Sequence, residues 1–218
     1  VTVGLKGTIL TSPDGKSWSK RTSGTTEDLF GVTYGNELFV VVGALGTLLT
    51  SPDGTTWTAK ISTTYNDIEG VGYGNGLFVF VSNNKPYTSL DGTTWTDRTF
   101  GVNKVLSGGG VTFSNDKFVA VGQTGTILTS SDGTTWTSRT SGTSNDFYGV
   151  TYANSTFVAV GSSGTILTSS DGTSWTSRTS GTSSNLWGVT YANSTFVAVG
   201  DSGTILTSSD GTSWTSRT

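Results

Sequence analysis

The chain is built from a sequence repeat of about 39 residues that runs from one end to the other. The most constant part of the repeat is a 16-residue segment, seen at 125–140, 164–179 and 203–218 with almost no change. Six copies begin near residues 7, 46, 84, 125, 164 and 203. One tryptophan in each copy lies at position 18, 57, 95, 136, 175 or 214, so the spacings are 39, 38, 41, 39 and 39. A fixed period of this length predicts a repeat architecture.

Each repeat carries the pattern of four short β-strands. In the last copy we predict strand A at 186–191, B at 195–199, C at 204–208 and D at 214–218, with Asp210-Gly211 in the C–D hairpin. Strand B has apolar residues on both faces, Phe196 and Ala198 on one and Val197 and Val199 on the other, which predicts burial on both sides. Repeated four-stranded units without helical periodicity predict an all-β fold, a β-propeller, formed by residues 1–218 as a single domain.

The number of blades depends on how the first repeat is interpreted. The sequence contains six B–C–D segments but only five A strands, at 30–34, 69–73, 109–113, 148–152 and 187–191. We therefore expect six blades with the first incomplete. The missing strand is then either lost or supplied by a neighbouring molecule, which would make the chain self-associate. The alternative is five complete blades preceded by an N-terminal arm of about 22 residues.

Composition narrows the classes of partner. The net charge is −3 and no basic run occurs, so we expect no nucleic-acid binding. No apolar stretch approaches the roughly 18 residues of a membrane span, so we expect no membrane insertion. Cys, His and Met are absent, which leaves no thiol chemistry and no His-based catalytic or metal site, and we expect no metal and no cofactor. The chain begins with Val rather than Met, as a processed product, a fragment or an incomplete sequence would. The near identity of the last repeats also fits an engineered protein. An extracellular or virion-surface location is favoured.

The segment Ser208-Ser209-Asp210-Gly211-Thr212-Ser213-Trp214 resembles the Asp-box repeat of sialidases, sortilin-like receptors and photosystem II assembly-factor propellers. The Gly-Thr-Ile-Leu before it and the Val-Ala-Val-Gly of strand B are most similar to the last group. The resemblance implies that the Asp carboxylate accepts backbone N–H groups inside the hairpin while the aromatic residue packs beneath it. One departure is that the usual box has one more residue between Asp and Trp, so a tighter hairpin is expected here. The residues given this structural role are Asp14, Asp53, Asp91, Asp132, Asp171, Asp210, Trp18, Trp57, Trp95, Trp136, Trp175 and Trp214.

The sequence argues against sialidase-like catalysis. Sialidases gather arginines around one substrate carboxylate, whereas here the arginines occupy one repeat position at the end of strand D, at 21, 98, 139, 178 and 217. The chain has only three Glu, at 27, 37 and 69, and no convergent acid/base pair. We therefore expect a protein that is not an enzyme.

Two well-preserved repeats differ mainly at one end of the blade. Residues 125–163 and 164–202 differ at six positions, of which Thr135/Ser174 is conservative. The other five lie in the D–A loop, the start of strand A and the B–C loop, which emerge at the same end. They are Asn145/Ser184, Asp146/Asn185, Phe147/Leu186, Tyr148/Trp187 and Ser162/Asp201. Drift after duplication and a binding face explain this divergence about equally well.

If the divergence marks a binding face, the ligand-contacting residues are predicted to be Trp187, Tyr148, Phe30, Asp201, Gln123 and Asn83. Aromatic rings stack on sugars, and amide and carboxylate groups bind hydroxyls, so carbohydrate is the leading ligand class. A protein surface would use the same aromatics as anchors. The remaining alternative is a structural module without a small-molecule ligand, such as a virion or cell-surface spacer.

Overall fold

The computed structural model describes residues 1–101, 106 and 108–217. Within these residues the regular structure is β-strand apart from three one-turn 3₁₀ segments, Ala44–Gly46, Ser162–Gly164 and Asp201–Gly203. The all-β prediction is confirmed. No helix in the described part of the chain has the length and hydropathy to cross a membrane.

The chain divides into two compact units, Val1–Phe100 and Gly101–Thr218, here called the N-terminal and C-terminal units. The strands of the N-terminal unit are β1 Thr2–Gly4, β2 Thr8–Thr11, β3 Ser19–Arg21, β4 Leu29–Gly35, β5 Leu38–Gly43, β6 Leu48–Ser51, β7 Thr58–Lys60, β8 Ile68–Gly74, β9 Leu77–Ser82, β10 Lys85–Ser89 and β11 Thr96–Asp97. Those of the C-terminal unit are β12 Val111–Ser114, β13 Lys117–Val121, β14 Ile127–Ser130, β15 Thr137–Arg139, β16 Phe147–Ala153, β17 Thr156–Gly161, β18 Ile166–Ser169, β19 Thr176–Arg178, β20 Leu186–Ala192, β21 Thr195–Gly200, β22 Ile205–Ser208 and β23 Thr215–Arg217.

Each repeat forms one antiparallel sheet whose strands pair in chain order. The first blade has three strands, β1-β2-β3, and the other five blades have four, beginning with strands A at β4, β8, β12, β16 and β20. This confirms six blades with the first incomplete. The alternative of an N-terminal arm is wrong, because residues 2–21 form a sheet of their own and Ile9 is fully buried against Leu29, Val41 and Leu49 of the next blade. Residue 218, the predicted end of the last strand D and of the domain, lies outside the described residues, and the single domain stays a prediction.

Neighbouring blades pack through the two faces of strands B and C. In the C-terminal unit, Val158 and Ile166 of the fifth blade face Leu186, Phe196 and Leu206 of the sixth, and all five are at most 1% exposed. Alternating side chains therefore serve two interfaces, one with the preceding blade and one with the next. This is why strand B is apolar at consecutive positions.

Strand B of the last repeat departs from the prediction on one face. Phe196 and Ala198 are buried, but Val197 is only partly buried and Val199 is 46% exposed, and Ile205 on strand C is 41% exposed. The equivalent Val160 and Ile166 of the fifth blade are 0% exposed, because the sixth blade covers them. Burial on both sides is thus wrong for β21. In β17 the same burial comes from packing against the blade that follows.

The Asp-Gly hairpins between strands C and D share one hydrogen-bond pattern. In all six, Asp Oδ1 accepts the backbone N–H groups two and three residues later, at 2.7–3.0 Å. The serine two residues earlier donates its hydroxyl to the same Oδ1 at 2.9–3.0 Å. The tryptophan Nε1 closes the hairpin by donating to the carbonyl of the glycine, at 2.9–3.3 Å. Trp95 and Trp136 are buried, whereas Trp18 is 47% exposed.

These bonds lower the pKa of all six hairpin carboxyls, Asp14, Asp53, Asp91, Asp132, Asp171 and Asp210. The largest cause is the backbone N–H three residues on, except at Asp171, where the Thr173 hydroxyl comes first. A carboxyl with a depressed folded pKa stabilises the fold above its unfolded pKa of about 3.9, and this contribution is lost as the pH falls through the folded value.

We therefore expect the chain to unfold at a lower urea concentration at low pH than at neutral pH, with the loss setting in below about pH 4. Urea titrations followed by tryptophan fluorescence at a series of pH values test this. As a control, Asp132→Asn with Asp171→Asn removes two titrating groups, so the midpoint should depend less on pH. Equal urea midpoints for the unmodified chain at neutral and low pH would contradict the expectation.

Candidate functional site

A β-bulge at the start of strand A presents the variable aromatic position. In β16 the pairing with β17 skips from Phe147 to Gly149, so Tyr148 is an extra residue without a cross-strand partner. The same register shift occurs at Trp187 in β20, Phe30 in β4 and Glu69 in β8. A bulge turns a side chain away from the regular alternation of the strand and is frequent beside functional sites. In the sequence the bulge is marked by three successive residues, as in Phe147-Tyr148-Gly149: a buried apolar residue, a residue that varies between repeats, and a glycine.

The bulges of the fifth and sixth blades bring two aromatic rings together. Tyr148 and Trp187 stack with their ring centroids 4.4 Å apart and their planes 25° from parallel. Trp187 donates its indole N–H to Asp201 Oδ1 at 2.5 Å, and the indole stays 51% exposed. Three predicted ligand-binding residues thus form one group, the Trp187 platform, consisting of Tyr148, Trp187 and Asp201. Burial raises the pKa of the Tyr148 phenol, and the carboxylates of Asp146 and Asp201 raise it further.

The loop residue two positions before the bulge ties two adjacent blades together. Asp146 Oδ1 accepts the backbone N–H of Thr124 in the B–C turn of the fourth blade, at 2.8 Å. The Asp146 carbonyl accepts the N–H of Ser162 in the B–C turn of the fifth blade, also at 2.8 Å. The side-chain bond recurs at three other D–A loops, as Lys6 N to Asp28, Leu45 N to Asp67 and Ser163 N to Asn185, at 2.7–3.1 Å.

This geometry changes the interpretation of the divergence between repeats. Asp146/Asn185 is a substitution that keeps the acceptor oxygen of an inter-blade bond, and Phe147/Leu186 is an exchange between two fully buried side chains. The sequence comparison includes both pairs among the changes at the possible binding face. In the structure, Asp146 and Asn185 accept inter-blade hydrogen bonds, and Phe147 and Leu186 belong to the core. Of the remaining changes, Tyr148, Trp187 and Asp201 meet in the Trp187 platform, whereas the Ser162 hydroxyl accepts the Asp146 N–H.

The other predicted ligand residues lie at the same end of their own blades. Phe30 is on the bulge of β4 and is 42% exposed. Asn83 lies in the tight turn between β9 and β10 with φ of 48°, and Gln123 follows β13; both are exposed. Their role in binding stays a prediction.

The arginines at the ends of strand D are held within their own sheets. Each Nε donates to a threonine hydroxyl on the adjacent strand C, at 2.7–3.1 Å; the pairs are Arg21–Thr11, Arg98–Thr88, Arg139–Thr129, Arg178–Thr168 and Arg217–Thr207. Each bond holds the arginine side chain over its own sheet, directed from strand D towards strand C. No group of three or more acidic residues in the described ranges could hold a metal ion.

No protein-family model matches this chain, and no curated protein matches it by sequence. Solved structures do resemble it. YCF48 bound to a D1 peptide matches with a TM-score of 0.71 and 18% identity, over 95% of this chain and 72% of that chain. YCF48 from Cyanidioschyzon merolae matches with a TM-score of 0.68 and 18% identity, over 99% of this chain and 79% of that one. Virginiamycin B lyase from Staphylococcus aureus matches with a TM-score of 0.76 and 14% identity, over 99% and 82%.

Identities this low show a common fold and leave function open, and the similar structures include both an enzyme and a peptide-bound protein. A propeller is a rigid frame that carries loops, which suits a recognition or interaction module. The chain is therefore a β-propeller repeat protein of six blades, the first of which lacks its strand A.

Proposed function

We propose that this chain is a non-enzymatic recognition module that binds carbohydrate at the Trp187 platform. The observation that carries the proposal is the half-exposed indole of Trp187, fixed in orientation by Tyr148 beneath it and Asp201 beside it. A ring held in this way loses little conformational freedom when a ligand stacks on it. The Asp201 carboxylate has a second oxygen that can accept a sugar hydroxyl. Together they provide the apolar surface and the polar partner that sugars require.

The absence of enzymatic activity is part of the proposal. Its support is that the strand D arginines are each bound to threonine inside their own sheet rather than directed at a shared substrate. The hairpin aspartates are likewise occupied by backbone N–H groups.

A glycan array measures this function directly. We expect binding to a defined sugar class that falls at least about tenfold, roughly 1.4 kcal/mol, in the Trp187→Ala, Tyr148→Ala double variant. The matched control is Trp18→Ala. Trp18 is 47% exposed, close to the 51% of Trp187, but lies at the opposite end of a blade, in a C–D hairpin. The control should bind like the unmodified chain. Equal loss in both variants, or no glycan bound at all, would count against the platform.

A protein partner is the second candidate. The observation in its favour is that YCF48, which is similar in fold, was solved with a D1 peptide. Exposed aromatic residues on bulges would serve as anchors for a polypeptide as well. If the chain binds no glycan on the array but does bind a protein, this second candidate is favoured.

A further inference from the structure

The B–C turn and the D–A loop enclose a groove that recurs at the same place in several repeats. In the first blade the groove has a volume of about 790 Å³, in the second about 430 Å³ and in the fifth about 640 Å³. The second blade's copy is lined by Leu45, Gly46 and residues 60–65; the residues that distinguish it, Leu45, Lys60, Ile61, Thr63 and Tyr65, define what is here called the second-blade groove. Because the groove recurs, the residues that line one copy can be compared with those at the equivalent positions of the others.

Three exposed apolar side chains distinguish the second-blade groove. Leu45, Ile61 and Tyr65 are 64%, 83% and 92% exposed. The equivalent positions are polar in the other repeats, as Lys6, Thr22 and Thr26 in the first, Thr124, Thr140 and Ser144 in the fourth, and Ser163, Thr179 and Ser183 in the fifth. The structure places all three apolar residues around one groove, although they are 16 and 4 residues apart in sequence. Exposing apolar surface to water is unfavourable, so its concentration at one groove indicates that a ligand covers it.

The backbone of the same loop is strained. Thr63 has φ of 66°, in the left-handed region, where the other repeats have Gly24, Gly142 and Gly181. A β-branched residue is a true outlier there, and such strain concentrates at functional sites. The Thr63 hydroxyl donates to the Ser62 carbonyl at 2.5 Å, which fixes the side chain. The loop is thus held in the repeat's usual path despite an unfavourable residue.

A lysine with no carboxylate partner among the described residues lies in the same groove. Lys60 replaces the arginine that ends strand D in the other repeats, where the guanidinium is bound to threonine. Among the described residues the single ion pair joins Lys85 and Asp97, at 3.4 Å, so the Lys60 ammonium has no carboxylate partner there. The two carboxylates nearest in sequence, Asp53 and Asp67, are outside the groove lining. Asp53 accepts the N–H groups of its own hairpin, and Asp67 accepts the Leu45 N–H. The groove therefore combines apolar surface with an unpaired positive charge.

We propose that the second-blade groove binds an extended peptide segment of a protein partner that carries an apolar side chain beside a carboxylate. Leu45, Ile61 and Tyr65 contact the apolar side chain, and Lys60 pairs with the carboxylate. Tyr65 is suited to this role because an exposed aromatic ring supplies a large contact area at a small entropic cost. The groove belongs to the N-terminal unit and the Trp187 platform to the C-terminal unit, so neither proposal depends on the other.

Four synthetic octapeptides with a fluorescent label test the proposal by fluorescence anisotropy. One alternates Glu and Phe, one Lys and Phe and one Glu and Ser, and the fourth is the Glu/Phe peptide with all Glu replaced by Gln. We expect the Glu/Phe peptide to bind, and the other three to bind at least about tenfold more weakly. Its affinity should fall as salt is added, because Lys60 is partly exposed to solvent and salt screens its charge.

The variant Leu45→Ser, Ile61→Thr, Tyr65→Ser introduces the residues that the fifth repeat has at the equivalent positions 163, 179 and 183. Because the backbone there is the same, the fold should be retained. We expect it to lose binding of the Glu/Phe peptide at least about tenfold. The matched control, Leu5→Ser, removes an exposed leucine from the B–C loop of the first blade and should bind normally. Failure of the Glu/Phe peptide to bind at about 1 mM, unchanged binding by the triple variant, or preference for the Lys/Phe peptide would each overturn the proposal.

Discussion

Replacing Gly164 with alanine should destabilise the chain by about 2–4 kcal/mol, from backbone strain and overpacking together. Gly164 ends the B–C turn of the fifth blade with φ of 68°, where a side chain is unfavourable. A Cβ would also lie 2.8 Å from the Ser180 hydroxyl and deep inside van der Waals contact with the Thr182 carbonyl oxygen. Since the carbonyl is part of the backbone, the D–A loop would have to move. The midpoint of urea unfolding, followed by tryptophan fluorescence, measures the loss.

Gly181→Ala separates the two causes. Gly181 has φ of 77°, but a Cβ there would meet nothing within 4 Å. Its replacement should therefore cost only the strain of the left-handed backbone, about 1 kcal/mol. If both variants lose the same stability, the turn and loop are not in the close contact described.

Truncation of Phe157 to alanine should cost about 3–5 kcal/mol, the usual loss for a buried aromatic residue. Phe157 is 0% exposed and packs between the fourth and fifth blades with Val119, Val121 and Phe147. Its ring lies 4.4 Å from Tyr152 between centroids. The substitution would leave a cavity between the fourth and fifth blades, where the Phe157 ring is packed in the unmodified chain. Chemical denaturation again provides the measurement.

Phe30→Ala is the control for this substitution. It removes the same side chain from a bulge where 42% of the residue is exposed, so the expected loss is below about 1 kcal/mol. A Phe157→Ala variant as stable as Phe30→Ala would show that the blades are packed less tightly than described.

The repeat length and the alternating pattern were enough to predict the sheets. The predicted strand A at 148–152 is β16, Phe147–Ala153, and the hairpin at Asp210-Gly211 lies between β22 and β23. Both depend on interactions within one repeat, such as cross-strand pairing and the carboxylate of Asp210 in its own turn. Interactions of this kind, between residues of the same repeat, can be predicted from the sequence.

Features that depend on a neighbouring blade were not predictable in the same way. The pattern of β21 is that of a strand buried on both faces, yet Val199 is exposed because burial of that face requires another blade. The sequence comparison places Asp146 on a variable surface, but it bridges two blades through bonds to residues 22 positions before it and 16 after it. The bulge at Tyr148 also escaped prediction, because an extra unpaired residue becomes visible only when strands A and B are aligned.

Within the described residues, four hydrogen bonds join a B–C turn to the D–A loop that follows it, and they bear on how the chain folds. Each spans 22 residues, as in Thr124 to Asp146, and closing so short a segment costs little entropy. Contacts this local in sequence favour rapid folding. A chain emerging from the ribosome can close each turn as soon as the next loop has been synthesised, before the blade that follows exists. Folding should therefore proceed during translation, blade by blade from the N-terminus.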